Sequence, residues 1–346
     1  MGERDPVRAM DDGSNDLYDI ATWERRTPLD RVSASIFRLV RVTFRTAVVV
    51  VAFLVLLGIG GLSALTDPQV GTLTVLSAIP AFGLALYVYY SDTTSGEPLA
   101  VLVATFLLGI LTANFAAVVN TFLGPLFDPF GFGGMVLMFF LVVGPVEETV
   151  KLLAVRLYAY RRPTFDCVID GAVYGAMAGL GFATVENALF IARGVGDLGM
   201  GVGVLELVGA GGGITAVRAL AGPGHVIYSA VAGYYLGLAK FNPENRGPII
   251  VKGLLIAAFI HATYNTTVGF GSGLVAGVLG VPPLVGFLGY VVLFDGVWGL
   301  YLLRKVRRYS ETFHRLERGE DGDPNETEEP VETGAEVETG TGTEID

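Results

Sequence analysis

Long apolar runs recur along this chain, separated by short polar breaks. Eight of them stand out, at 46–66, 72–90, 98–120, 135–158, 168–192, 220–240, 248–270 and 283–303. A helix rises about 1.5 Å per residue and the hydrocarbon core of a bilayer is about 30 Å thick, so each run is long enough to cross it. A chain in lipid must satisfy its own backbone hydrogen bonds, and runs of this length do so as helices. The pattern therefore predicts an all-α fold, a polytopic membrane helix bundle with about eight transmembrane helices. A further stretch, 198–217, is apolar but Gly-rich and holds Glu206, with Arg218 just beyond it. It reads as a re-entrant or surface segment.

Composition supports the membrane reading. The 346 residues are 52% hydrophobic and only 16% charged, against about a quarter charged in soluble domains. The formal net charge of -11 is a local effect, because residues 319–346 hold 11 acids and no Lys or Arg; the remainder has 23 acids and 23 bases. Three regions follow: a polar, Arg-rich cytoplasmic segment 1–45 that does not resemble a signal peptide, a transmembrane body 46–308, and an acidic tail 309–346. The tail has too few apolar residues to pack and reads as solvated and disordered. Basic residues cluster at Arg25–Arg45, at Arg156, Arg161 and Arg162, at Lys240 and Arg246, and at Arg304–Arg308. The bias of Lys and Arg toward the cytoplasm places all four clusters, and both termini, on that side.

Ionisable groups at bilayer depth cost several kcal/mol and mark function by default. Glu147 and Glu148 sit side by side inside an apolar run, and Lys151 follows at i+4 and i+3, on one helical face. Glu186 with Asn187, Arg218, His225, and His261 with Asn265 fall on or beside other spans, at depths that allow one shared layer in the outer half of the bilayer. Each group also has a purely structural use, as a buried ion pair or a packing residue. Asp170, Arg218 and Asp295 read as mainly structural, and His314 as solvated in its charged segment. The single cysteine, Cys167, excludes an intramolecular disulfide and a zinc site built from cysteines, so any metal must rest on histidine and carboxylate. Peptide hydrolysis at depth needs a water, a base for it and a donor or cation for the oxyanion. Burial makes a glutamate more basic, His and Asn can donate, and a bound Zn²⁺ would both activate the water and stabilise the oxyanion.

Taken in order, Glu147-Glu148-Thr-Val-Lys151, Asp170-Gly-Ala-Val-Tyr-Gly, Gly181-Phe182-Ala-Thr-Val-Glu186-Asn187, His225 and His261-Ala-Thr-Tyr-Asn265 resemble the PrsW family. These are intramembrane proteases related to the CAAX prenyl proteases. The resemblance covers about 120 residues, Glu147 to Asn265, within a motif core at 135–270. It implies an intramembrane peptidase acting on a membrane-associated protein or peptide. In it Glu147 and Glu148 polarise the attacking water, Lys151 assists, and Asn265 helps hold the oxyanion. His225 and His261 are its membrane histidines and, with Glu186, the expected metal ligands, Zn²⁺ being the expected ion. CAAX-type relatives carry His where this chain has Glu186, so the ligand set differs from theirs.

Two other classes compete. A proton- or ion-coupled transporter uses intramembrane carboxylates as a relay, although no internal repeat pairs the halves of this chain. A non-catalytic membrane scaffold would keep the polar cluster for assembly alone. No P-loop, haem motif or extended basic surface points to nucleotide or nucleic acid; the implied partners are a membrane substrate and the bilayer. The positive clusters give a topological prediction. With residue 244 as the sole cysteine in a Cys167-free chain, an impermeant thiol reagent is expected to leave intact cells unlabelled, and labelling there would contradict eight spans.

Overall fold

The structure, a computed structural model, describes residues 14, 16–18, 24–58, 67–92, 96–198 and 214–317. Helices dominate: α1 (Pro28–Gly58), α2 (Pro68–Tyr89), α3 (Leu99–Leu123), α4 (Gly131–Met138), α5 (Gly144–Leu157), α6 (Val168–Leu198), α7 (Ile214–Phe241), α8 (Arg246–Leu279) and α9 (Pro283–Glu317). The fold is all-α, as the apolar pattern predicts. Six stretches among the described residues are long and apolar enough to span a membrane: Pro68–Tyr89, Leu99–Leu126, Asp128–Arg161, Val168–Arg193, Pro243–Leu279 and Pro283–Leu316. The run expected at 46–66 begins as the apolar stretch Thr46–Leu57 inside α1. The run expected at 220–240 lies in α7, which is less apolar because it carries Arg218, His225, Lys240 and three tyrosines.

Three boundaries differ from expectation, one of them at α9, which continues as helix to Glu317, nine residues into the stretch 309–346 read as a disordered tail. Helix α1 starts at Pro28, well inside the segment read as polar, because Arg-rich turns interleaved with Ile36, Phe37, Leu39 and Val40 remain good helix formers. Helix α7 starts at Ile214, so Arg218 stands inside a helix rather than ahead of one. The remainder of the 198–217 segment and the acidic stretch 319–346 lie outside the described residues.

Helices α6 and α7 form the centre, and small residues let them touch. A Cβ added at Gly171, Gly175 or Gly179 of α6 would fall on the carbonyl oxygen of Gly233, Ser229 or His225 of α7, respectively. The spacing of four keeps the three glycines on one face, the close-approach pattern of membrane helices. The pairing is antiparallel, so moving seven residues on from Gly179 reaches Glu186, and moving seven back from His225 reaches Arg218. The stripe therefore brings those two charged side chains together.

Helix α5 is aimed differently. Between α4 and α5 the chain takes a π-turn, Phe139–Val143, in which the Gly144 N–H bonds the Phe139 carbonyl five residues back. Pro145 has no N–H to return to Leu141, which removes one ordinary helical bond there and favours the wider turn. Gly144 also admits a neighbour, since a Cβ on it would lie 2.7 Å from the Ala258 carbonyl of α8. Ala258 is one turn before His261, so this contact sets His261 against the turn that carries Glu147 and Glu148. Helix α7 likewise has a proline, Pro223, two residues ahead of His225.

The glycine stripe gives a stability prediction. Gly175→Leu forces α6 and α7 apart and is expected to cost about 3 kcal/mol or more, read as a drop in unfolding temperature of detergent-purified protein. Gly277→Leu on α8 is expected to be tolerated, because nothing lies within 4 Å of a Cβ there. Equal stability of the two variants would contradict this account of the core.

Candidate active site

On α5 the spacing of Glu147, Glu148 and Lys151 puts all three side chains into the bundle, each at most 6% exposed. Lys151 Nζ donates to Glu148 Oε1 at 2.7 Å and lies 4.0 Å from Glu147 Oε2. It also sits 4.3 Å from the centroid of the Phe182 ring, a cation–π contact from α6. The two glutamates, adjacent in sequence, meet different partners. Glu148 is fully buried and held from three sides, by Lys151, by His261 Nδ1 at 2.8 Å and by Ser229 Oγ at 3.5 Å. Glu147 accepts one bond, from Asn120 Nδ2 of α3 to Oε1 at 3.1 Å, while its Oε2 is buried without a hydrogen-bond partner.

The α6–α7 pair supplies the opposite wall. Arg218 Nη2 lies 2.6 Å from Glu186 Oε2, and His225 Nε2 lies 2.9 Å from the same oxygen. Asn187 fixes the arginine, accepting from Arg218 Nε at 2.9 Å and donating to Ser77 Oγ of α2 at 3.0 Å. His225 Nδ1 faces Lys151 Nζ at 2.9 Å. An ammonium can only donate, so Nδ1 accepts and the His225 proton belongs on Nε2, toward Glu186. By the same reasoning His261 Nδ1–H donates to Glu148 Oε1, which leaves the Nε2 lone pair toward Glu147 Oε2, 3.6 Å away. The two imidazoles meet edge to face, 5.2 Å between centroids.

A cavity of about 280 Å³ opens beside this cluster, lined by Asn114, Asn120, Glu147, Phe182, Glu186 and Arg193 among others. Both acids of its wall, Glu147 and Glu186, come from the cluster.

The residues present fit a divalent cation. Glu147, His225 and His261 each carry a ligand atom, the three lying within 4.8 Å of one another and all buried; the His261 Nε2 lone pair is open to an ion, whereas His225 Nδ1 would first have to exchange its Lys151 donor for it. Two histidines and a carboxylate are a donor set that suits zinc-type ions, and Glu148 on His261 Nδ1 is the outer-shell partner such a ligand needs.

The sequence-derived candidates thus converge: Glu147, Glu148, Lys151, Glu186, His225 and His261 form one connected network from four helices. Glu186, expected as a metal ligand, has its carboxylate on Arg218 and His225, and the carboxylate whose oxygen lies grouped with a nitrogen of each histidine is that of Glu147. Asn265 stands one turn beyond His261 on α8, and among the described residues no hydrogen bond ties its amide to the cluster. Asp170 does a structural task, its carboxylate accepting the Asp166 and Cys167 backbone N–H groups at the start of α6. Asn120 was not among the candidates, and Arg218 joins the site directly. Asn114 and Asn120 are amides in an otherwise apolar span, a weaker form of the signal that marked the glutamates.

The profile described as PrsW family intramembrane metalloprotease matches residues 97–297, which hold every residue of this network. Proteins named Protease PrsW are similar over about 56% of the chain. That of Halalkalibacterium halodurans is 29% identical over 196 residues, 82% of its own length. Those of Geobacillus kaustophilus and Bacillus subtilis are 31% and 30% identical, over 78% and 81% of theirs. No solved structure matches the chain significantly. With the matched region covering more than half of the chain and all of the cluster, this protein belongs to the PrsW family of intramembrane metalloproteases.

Proposed function

We propose that this multi-pass membrane protein hydrolyses a peptide bond of a membrane-associated protein or peptide at the Glu147 cluster, with Zn²⁺ as the resident ion. The observation that carries this reading is Glu147 Oε2, buried without a hydrogen-bond partner 3.6 Å from His261, on a residue that lines the cavity together with Glu186. Asn120 holds the other oxygen of that carboxylate. Glu147 takes the water's proton. Glu148 does not face the cavity; it orients His261 and, with Lys151, sets the charge behind it. His225 and His261 would hold the ion beside Glu147, and when bound it supplies Lewis-acid polarisation of the water and the scissile carbonyl. Glu186, braced by Arg218 and Asn187, keeps the His225 imidazole in one tautomer and one orientation. In this reading Asn265, one turn from His261, donates to the oxyanion.

The Lys- and Arg-rich flanks support an orientation with both termini in the cytoplasm. Membership of a protease family leaves no specific feature in favour of a transporter or a scaffold, and Glu148, locked on three sides, is a poor member of a proton relay.

Cleavage of a membrane-anchored peptide by detergent-purified protein, without any ion gradient, tests the proposal. Glu147→Gln keeps the shape and removes the proton acceptor, so turnover is expected to fall about 10²- to 10⁴-fold while the helical content is unchanged. Glu148→Gln is expected to lose activity as well, through a misoriented His261. Folded variants that both cleave at the normal rate would refute the assignment.

A further inference from the structure

About nine residues along α7 from His225, at the end of the bundle away from Glu186, lies a second polar constellation that peptide hydrolysis does not use. Tyr234 of α7 and Tyr301, Arg304, Lys305, Arg308 and Tyr309 of α9 line a cavity of about 430 Å³. The tyrosines hold the lysine in place: Lys305 Nζ lies 5.3, 5.0 and 5.3 Å from the ring centroids of Tyr234, Tyr235 and Tyr301. The Tyr235 and Tyr301 hydroxyls are themselves hydrogen-bonded at 3.0 Å. No carboxylate lines the cavity. Among the described residues none forms an ion pair with Arg304, Lys305 or Arg308. Three like charges around one concavity repel each other, and an anion placed among them removes that repulsion.

Depth decides which anion. The apolar part of α9, 283–303, covers about 31 Å at 1.5 Å per residue, so Arg304 begins where the hydrocarbon core ends and headgroups start. Tyrosines at that level are the usual interfacial belt. Toward the core from the cavity, α9 exposes Leu293, Val297 and Leu300, an apolar face along which acyl chains would lie. Guanidinium groups match phosphate oxygens in pairs, and tyrosine hydroxyls add neutral donors. Basic pockets between membrane helices hold headgroups in this manner. We propose that the α7–α9 cavity binds the phosphate of an anionic phospholipid, fixing the end of α9 to the headgroup layer.

Native mass spectrometry of the full-length protein in detergent, titrated with dioleoyl-phosphatidylglycerol or dioleoyl-phosphatidylcholine, tests this. The wild type is expected to retain phosphatidylglycerol in preference. Lys305→Gln/Arg308→Gln is expected to cut that preference about 25-fold, each cation near the surface being worth about fivefold. Arg304 and Arg307 remain in that variant, so the positive flank that orients α9 persists. Arg161→Gln/Arg162→Gln removes equal charge elsewhere and is expected to leave the preference unchanged. An unchanged preference in the cavity variant, or an equal loss in the control, would overturn the proposal. So would displacement of the lipid by millimolar inorganic phosphate, which would assign the cavity to free anions. A preference that emerges only after deletion of 319–346 would assign it to the acidic tail instead.

Discussion

Charge buried at membrane depth has to be answered by other charge, and this requirement organises the protein around Glu148. An uncompensated ion in a low-dielectric interior carries a penalty of several kcal/mol. Glu148, fully buried, is met by Lys151 on its own helix and by His261 and Ser229 from two others. Lys151 in turn meets His225, which meets Glu186, which meets Arg218. Each link satisfies one group and leaves the next one needing a partner. Off this chain stands Glu147 Oε2, near Lys151 and His261 but without a hydrogen bond, and that unmet acceptor is the place where chemistry can begin.

Such a network needs helices closer and less regular than ordinary packing gives. Glycines on α6 bring α7 to backbone contact and so align Glu186 with Arg218 and His225. Gly144 does the same for α5 and α8, aligning Glu148 with His261. Two prolines interrupt the regular ladder two residues before Glu147 and before His225. Freed backbone groups are tolerated in membranes where protein or a polar cavity surrounds them, and a distorted turn re-aims the side chains that follow. Reactive geometry and local irregularity therefore occur at the same positions for one reason.

Much of this was legible in the sequence, for identifiable physical reasons. Apolar run length reports span length directly, so the helical bundle followed from counting. Glu147, Glu148 and Lys151 declared themselves because helical spacing alone fixes their shared face. What could not be read was partnership between helices. Nothing in the spacing of Glu186 says that Arg218, 32 residues on, lies beside it; the glycine-rich stretch before Arg218 looked like a breaker, which placed the residue outside its helix. Asn120 went unnoticed because an amide is a quieter signal than a charge in an apolar span. The difference between Glu147 and Glu148, one open and one locked, exists only after α3, α7 and α8 have taken their places.

The central claim is that the open end of this network holds a divalent ion beside the reactive carboxylate, and metal content tests it most directly. Elemental analysis of wild-type protein, purified by a route that avoids immobilised metal and dialysed against metal-free buffer, is predicted to find about one zinc per chain. His225→Ala and His261→Ala proteins that remain helical are predicted to hold less than about a tenth of that. Wild-type protein that cleaves its substrate at full rate with no stoichiometric divalent metal would contradict the account.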